Sequence, residues 1–178
     1  MAKQQKVKVK IPKAYKPNAR RAIAQQIIDF IVNRTGRGRG IDNKPWGGKA
    51  GSYSQSYKDS LDFKNAGKTN TVNLELSSDM LNSLELLSSK RGEITLGYAA
   101  GDPINDKVEG NRLGTYGQKK PIPGKARDFL GIRKEDLNRI LKKFPRGKSQ
   151  EAVAELENEI QETAERTVSN VEFRDESE

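Results

Sequence analysis

The chain has 178 residues, of which 33% are hydrophobic and 32% are charged, and its net charge is +9. It contains no cysteine and no histidine, which excludes disulfides, thiolate or imidazole metal sites and catalysis by a histidine base. A polar chain of this length and composition favours one domain with solvated ends, and neither an enzymatic activity nor a cofactor is expected.

Positive and negative charges are concentrated at opposite ends of the chain. Residues 1–50 carry 13 Lys or Arg and 2 Asp or Glu, whereas residues 149–178 carry 2 and 10. A basic head and an acidic tail can attract each other between copies, and their fields would steer that encounter. Two independently solvated ends are the alternative interpretation.

The N-terminal segment, residues 1–16, is predicted to be an extended basic arm. Lys alternates with Val and Ile from Lys6 to Ile11, which is typical of a short strand or an extended segment, and Pro12 and Pro17 limit it. No stretch of the chain is apolar enough for a membrane span, and the basic start lacks the apolar core of a signal peptide.

A long helix is predicted from Asn18, an acceptable N-cap, to Asn33. The segment Gly36–Gly40 ends it and begins a loop. The apolar residues of the helix recur at helical spacing and are expected to face the core: Ile23, Ile27, Ile28, Phe30 and Ile31.

A short second helix is predicted over residues 54–63. Tyr53, Tyr57 and Leu61 are four residues apart and would share one of its faces. We interpret Trp46, Tyr53 and Tyr57 as scaffold anchors that hold this loop and helix onto the sheet, in preference to a stacking platform for bases.

The middle of the chain predicts a small antiparallel sheet. Residues 71–76 alternate apolar and polar side chains, as expected for a strand with one buried face. A capped helical turn follows over residues 78–84. Two strands, 84–88 and 93–98, then flank residues 89–92 as a β-hairpin.

The C-terminal part begins with a short helix over residues 104–113, after Asp102-Pro103. An exposed loop follows to Gly124, and residues 126–132 predict a last short strand. Amphipathic helices are expected from Lys134 to Phe144 and over residues 149–169.

Together these elements predict an α+β fold in which a small antiparallel sheet packs against a long N-terminal helix. The predicted divisions are a basic N-terminal arm (1–16), an α+β core (17–145) and an acidic C-terminal helix and tail (146–178).

Two polar motifs have competing interpretations. The segment Gly36-Arg37-Gly38-Arg39-Gly40 is similar to arginine/glycine segments of nucleic-acid-binding proteins, with Arg37 and Arg39 as candidate contacts to DNA; a flexible solvated loop is the alternative. Asp102, Asp106 and Glu109 would share a helix face, where a solvated charged surface is favoured over a divalent metal site.

Three segments in sequence order carry a resemblance to a known family. They are Gly40-Ile41-Asp42-Asn43-Lys44-Pro45-Trp46 followed by Tyr53-Ser54-Gln55-Ser56-Tyr57; residues 74–84 running into 93–98; and residues 123–132 followed by Glu135-Asp136. Over residues 18–144 the chain resembles the bacteriophage tail-completion family, also called the phage virion morphogenesis family. The resemblance implies a small, non-enzymatic α+β protein of the head–tail neck that forms a ring, typically a hexamer.

The resemblance further implies a virion protein that completes or caps the tail and helps join it to the head, after assembly in the host cytoplasm. Its expected partners are its own copies and neighbouring neck, connector or tail-tube proteins, with non-specific contact to passing DNA and no membrane. The alternative is a small basic DNA-binding protein that contacts phosphates through the N-terminal arm and Gly36–Gly40. The residues assigned to contacts between subunits or rings are Lys6, Lys8, Lys10, Arg127, Phe129, Leu156 and Ile160.

Overall fold

A computed structural model describes residues 3–65, 70, 72–74, 79–116 and 118–144 of the chain. It shows an α+β fold with a small antiparallel sheet and a long N-terminal helix, as predicted. No helix in these ranges is long and apolar enough to cross a membrane. In chain order the elements are β1 (Lys6–Lys10), α1 (Pro17–Gly36), α2 (Gln55–Lys58), α3 (Leu61–Asn65), α4 (Asp79–Asn82), β2 (Glu85–Lys90), β3 (Glu93–Gly97), α5 (Ile104–Leu113) and α6 (Lys134–Lys142).

The sheet contains three antiparallel strands in the order β1-β3-β2. β2 and β3 form the predicted hairpin, and Gly92 in its turn has a φ of +88°, which glycine adopts without the penalty of a side chain. β1 pairs with β3 from Lys6 opposite Gly97 to Lys10 opposite Glu93. Residues 6–10 are therefore a strand of the chain's own sheet, which is the first of the two forms predicted for this segment.

One face of the sheet is covered by α1, which packs on β2 and β3. Its apolar stripe is buried as the periodicity predicted, with Ile23, Ile27 and Ile31 fully enclosed against the side chains of β3. The helix begins at Pro17, one residue before the predicted Asn18, because proline is favoured in the first turn, where no N–H partner is lost.

The core is closed by α6, which packs on α1 and buries Ile140 and Phe144. Tyr15, in the link between β1 and α1, donates its hydroxyl to the carbonyl of Leu141 at 3.3 Å. The helices predicted over 104–113 and from Lys134 are confirmed. The predicted helix 149–169 lies outside the described residues.

Two predicted strands are wrong in their described parts. Residues 72–74 are not a strand, and Leu74 has a φ of +58°, which an extended strand excludes. Residues 126–132 follow an irregular path. The helix predicted over residues 54–63 is two short helices, α2 and α3, and Leu61 is 73% exposed instead of sharing a buried face with the tyrosines.

Candidate functional site

The loops that follow the C-terminal end of α1 are held together by two buried arginines. We refer to residues 37–53 and 122–132 as the loop layer. Within it the main-chain N–H of Ile41 donates to the carbonyl of Asp128 at 3.0 Å, so its two parts are in direct contact. Gly131 lies so close to Ile41 that an added Cβ would be 2.7 Å from the Ile41 Cδ1 atom.

Arg34, in the last turn of α1, is the first of these arginines and is only 4% exposed. Its guanidinium donates to the carbonyls of Phe129 and Gly131, the latter at 3.0 Å. Burial lowers the pKa of Arg34 to about 10, although the nearby Asp136 carboxylate favours the charged form. Arg34 is therefore protonated at neutral pH, and it satisfies carbonyls that a strand neighbour would otherwise bind.

Arg127 is the second buried arginine, also 4% exposed. Its Nε donates to the carbonyl of Ala50 at 2.7 Å, and one terminal nitrogen donates to the carbonyl of Ser52 at 3.2 Å. The other terminal nitrogen donates to the side-chain oxygen of Asn111 at 3.3 Å. One side chain thus binds residues 50–52 to the end of α5.

Two tyrosine rings flank Arg127, with its guanidinium carbon 5.9 Å from the Tyr53 ring centre and 5.5 Å from that of Tyr116. Lys125 donates from Nζ to the carbonyl of Ser52 at 2.9 Å. Burial, followed by the charges of Arg127 and Lys49, lowers the pKa of Lys125. Arg127 and Lys49 therefore disfavour the protonated form of Lys125 on this side of the loop layer.

The predicted scaffold anchors occupy two separate places. Tyr53, Tyr57 and Phe63 form a triangle of rings whose centres are 5.3 Å apart. Trp46 packs against the main core, and Gly40 lies beside its indole, where an added Cβ would be 3.1 Å from Nε1. The tyrosines therefore stabilise α2 and α3 through Phe63, which the sequence interpretation did not include.

A buried carboxylate organises the start of α6. The side chain of Asp136 is fully buried and accepts a hydrogen bond from Arg133 Nε at 2.8 Å and another from Arg139. Burial alone would raise the pKa of Asp136, but the hydrogen bond and charge of Arg133, together with Arg139, outweigh it and lower the pKa. Asp136 is thus a charged structural group at neutral pH.

The candidate DNA contacts, Arg37 and Arg39, are both exposed. Hydrogen bonds stabilise their loop. The Gly38 N–H donates to the Thr35 carbonyl at 2.8 Å, and the Arg39 side chain donates to the Asn43 carbonyl at 2.9 Å. Within the described ranges neither arginine forms an ion pair. They are cations available at the surface of an ordered loop.

The residues assigned to subunit contacts are in different environments. Lys6, Lys8 and Lys10 are exposed on β1. Phe129 is fully buried and Arg127 is enclosed, so the structure places both inside this chain's own fold and leaves Phe129 no surface for a neighbour. The assignment of these two to an interface is corrected accordingly. Leu156 and Ile160 lie outside the described residues.

No cluster of three or more acidic side chains in the described residues could hold a metal ion. Asp102 instead accepts a hydrogen bond from the N–H of Ile104 at 2.8 Å and stabilises the start of α5.

The large apolar side chains that the described residues expose include Leu113 (52%) and Tyr116 (39%), both at the end of α5 beside the loop layer.

Sequence reasoning missed Arg34 and Asp136. Arg34 continues the stripe of Ile27 and Ile31 at helical spacing, so a charge at a core position was the available signal. Asp136 had no comparable signal, because an acidic residue in the first helical turn is ordinarily exposed.

Comparison with protein-family models, with curated proteins and with solved structures finds no match to this chain.

Proposed function

We propose that the chain is a non-enzymatic structural subunit of a phage virion neck. It assembles as a ring that completes or caps the tail and helps join it to the head, in contact with neighbouring neck, connector or tail-tube proteins. The observation that carries this proposal is the convergence of two segments on which the family resemblance rests. Gly40 and Ile41 of the first segment contact Asp128 and Gly131 of the third.

This convergence gives the resemblance a physical reason. The first and third segments are almost ninety residues apart in the sequence but are in contact in the folded loop layer. Their joint occurrence in one chain therefore has a structural cause, because the two segments must fit one another. Arg127 reinforces the same junction, because it binds the carbonyls of Ala50 and Ser52 just before Tyr53. The middle segment supplies α4 and β3, and β2 lies between its two parts.

The charge of the chain suits a ring through which DNA passes. Residues 1–144 carry 29 Lys or Arg and 14 Asp or Glu, a strong positive excess. Such a body would attract passing DNA through weak contacts that do not depend on sequence. Unlike charges at the two ends favour head-to-tail contacts between copies, and a head-to-tail contact that closes on itself produces a ring.

Electron micrographs of particles produced without this chain test the proposal. We expect tails of normal length that fail to join heads, with joining restored when the intact chain is supplied. Antibody labelling of complete particles is expected to mark the neck. Normally joined particles, or purified virions that lack the chain, would contradict the proposed function.

A small DNA-binding protein is the second candidate. The exposed Arg37 and Arg39 favour it, since neither forms an ion pair within the described part of the chain. If phosphate contacts are its main activity, affinity for duplex DNA falls steeply with salt, and replacing both arginines by Ala reduces that dependence. Replacing Lys119 and Lys120 by Ala removes the same charge from another exposed loop and is the control. Equal effects of the two variants would favour the structural function.

A further inference from the structure

In the described part of the chain, β1 has a neighbouring strand on one side only. Tyr98 N–H donates to the carbonyl of Gln5 at 3.1 Å, and Ile11 N–H donates to that of Gly92 at 3.0 Å. In an antiparallel ladder these bonds alternate along the strand, so the odd-numbered residues of β1 face β3. The main-chain groups of the intervening Lys6, Lys8 and Lys10 therefore point toward the open edge.

The side chains of the same three lysines, which we call the lysine row, are exposed. They alternate with Val7 and Val9, whose side chains pack on the core, so the row lies on the opposite face. Successive lysines are about 7 Å apart, the spacing of alternate residues in a strand. Among the three lysines of the row, Lys8 alone forms an ion pair within the described residues, with Glu93 at 3.2 Å.

Lysine on an edge strand discourages pairing with an ordinary strand. The partner that fits this edge is instead an anionic one. The chain supplies such a segment, since residues 149–178 hold 10 acidic and 2 basic side chains. This segment follows Phe144, which is packed into the core at the end of α6.

We propose that the lysine row binds the acidic segment 149–178 of a neighbouring copy. This inference rests on the proposed ring and names the contact that would join its subunits. Each copy then offers one basic and one acidic surface, so the contact is head-to-tail and can close. Long-range attraction between the two surfaces would also speed assembly and make it sensitive to salt.

Two charge-reversed versions of the full chain test the contact. In the first, Lys6→Glu, Lys8→Glu and Lys10→Glu make the row acidic. In the second, five replacements change the net charge of residues 149–178 from −8 to +2. These are Glu151→Lys, Glu155→Lys, Glu157→Lys, Glu159→Lys and Glu162→Lys.

Either version alone has a row and a segment of like charge, so its self-association, measured by light scattering, is expected to weaken by about tenfold or more. An equimolar mixture restores unlike charges at both contacts and is expected to associate like the original chain. The control is Lys119→Glu, Lys120→Glu and Lys134→Glu, three exposed lysines away from β1. Its association is expected to be unchanged.

Several results would overturn the inference. They are normal association of either version alone, failure of a mixture of the two folded versions to associate, and binding of the segment to the row of its own chain, detected as crosslinks within single chains. Loss of DNA binding with normal association would show that the row binds nucleic acid instead. The second version leaves β1 intact, so a folding defect in the first does not prevent the test.

Failure of the contact and failure of the proposed function are distinguishable. Suppose that the chain is found in virions and that its self-association is unchanged by the charge reversals. This result would contradict only the lysine-row contact. Suppose instead that the chain is absent from virions, while each reversed version associates weakly alone and the mixture associates normally. This result would contradict only the neck function.

Discussion

The guanidinium of Arg34 donates to the main-chain carbonyl of Phe129, 95 residues further along the chain. The last turn of α1 thereby supplies a hydrogen-bond donor to an irregular segment that has no strand neighbour among the described residues. Since the same side chain also binds the Gly131 carbonyl, the position of residues 129–131 in the loop layer depends on this buried cation.

Replacing Arg34 by Lys is expected to lower the free energy of unfolding by about 2–3 kcal/mol. Lysine keeps the charge, but its ammonium cannot reproduce the planar fork that bonds two carbonyls in a buried site. Urea denaturation measures the difference. Arg37→Lys, on the exposed side of the same helix end, is the control, and equal midpoints for both variants would contradict the assignment.

Asp136 is expected to make stability depend on pH. Its pKa is lower in the folded chain than in the unfolded one, so its contribution is complete above the unfolded value and is lost as the pH falls through the folded value. Asp136→Asn is expected to cost about 1–3 kcal/mol at neutral pH and to reduce the loss of stability in acid. Denaturation midpoints between pH 7 and pH 2 measure both effects.

Glu135→Gln is the matched control for Asp136. Glu135 occupies the same helical turn and lies 3.8 Å from Arg133, but its side chain is 75% exposed. An exposed ion pair contributes little, so a change below about 0.5 kcal/mol is expected. A larger effect at Glu135 than at Asp136 would contradict the burial argument.

Arg127→Lys is expected to loosen residues 50–52, because a lysine cannot bind Ala50, Ser52 and Asn111 together. Amide hydrogen exchange in residues 50–53 is expected to accelerate by about tenfold or more, equivalent to about 1.4 kcal/mol. Lys125→Met removes a single bond to the same loop and is expected to have a smaller effect. Equal acceleration in the two variants would contradict the central role of Arg127.

Gly97→Ala is expected to weaken the attachment of β1. An added Cβ at Gly97 would lie 2.5 Å from the Gln5 carbonyl oxygen and 2.8 Å from Lys6 Cβ, so the strands must separate. We expect a loss of about 2 kcal/mol or more in thermal or urea denaturation. Gly47→Ala, where the added atom meets nothing within 4 Å, is the control and should change stability by less than about 0.5 kcal/mol.

Local sequence patterns predicted the elements that depend on local spacing. Three elements have a regular pattern of apolar residues or a turn sequence that matches their packing in the fold. They are α1 with its isoleucines, the hairpin around Gly92 and the amphipathic α6. The alternation over residues 71–76 was misleading, since Leu74 adopts a left-handed conformation. The strand predicted over residues 126–132 failed for another reason. The carbonyls of Phe129 and Gly131 accept hydrogen bonds from the distant Arg34, and Arg127 within the segment binds the carbonyls of Ala50 and Ser52.

The candidate site was predictable only in part. The lysines of β1 are exposed, as their alternation with apolar residues indicated, and so are the two arginines after α1, which lie in a glycine-rich polar segment. Phe129 and Arg127 are interior, because the short apolar run around them is covered by the chain's own loops and α1. Burial of a particular arginine depends on carbonyls supplied from elsewhere in the fold, and no local pattern identifies them.

Native mass spectrometry of the purified full-length chain tests the ring most directly. The account predicts a closed oligomer whose mass is a whole multiple of 19.9 kDa, with a hexamer as the expected form, and whose dissociation increases with salt. A chain that remains monomeric at low salt and at high protein concentration would contradict it.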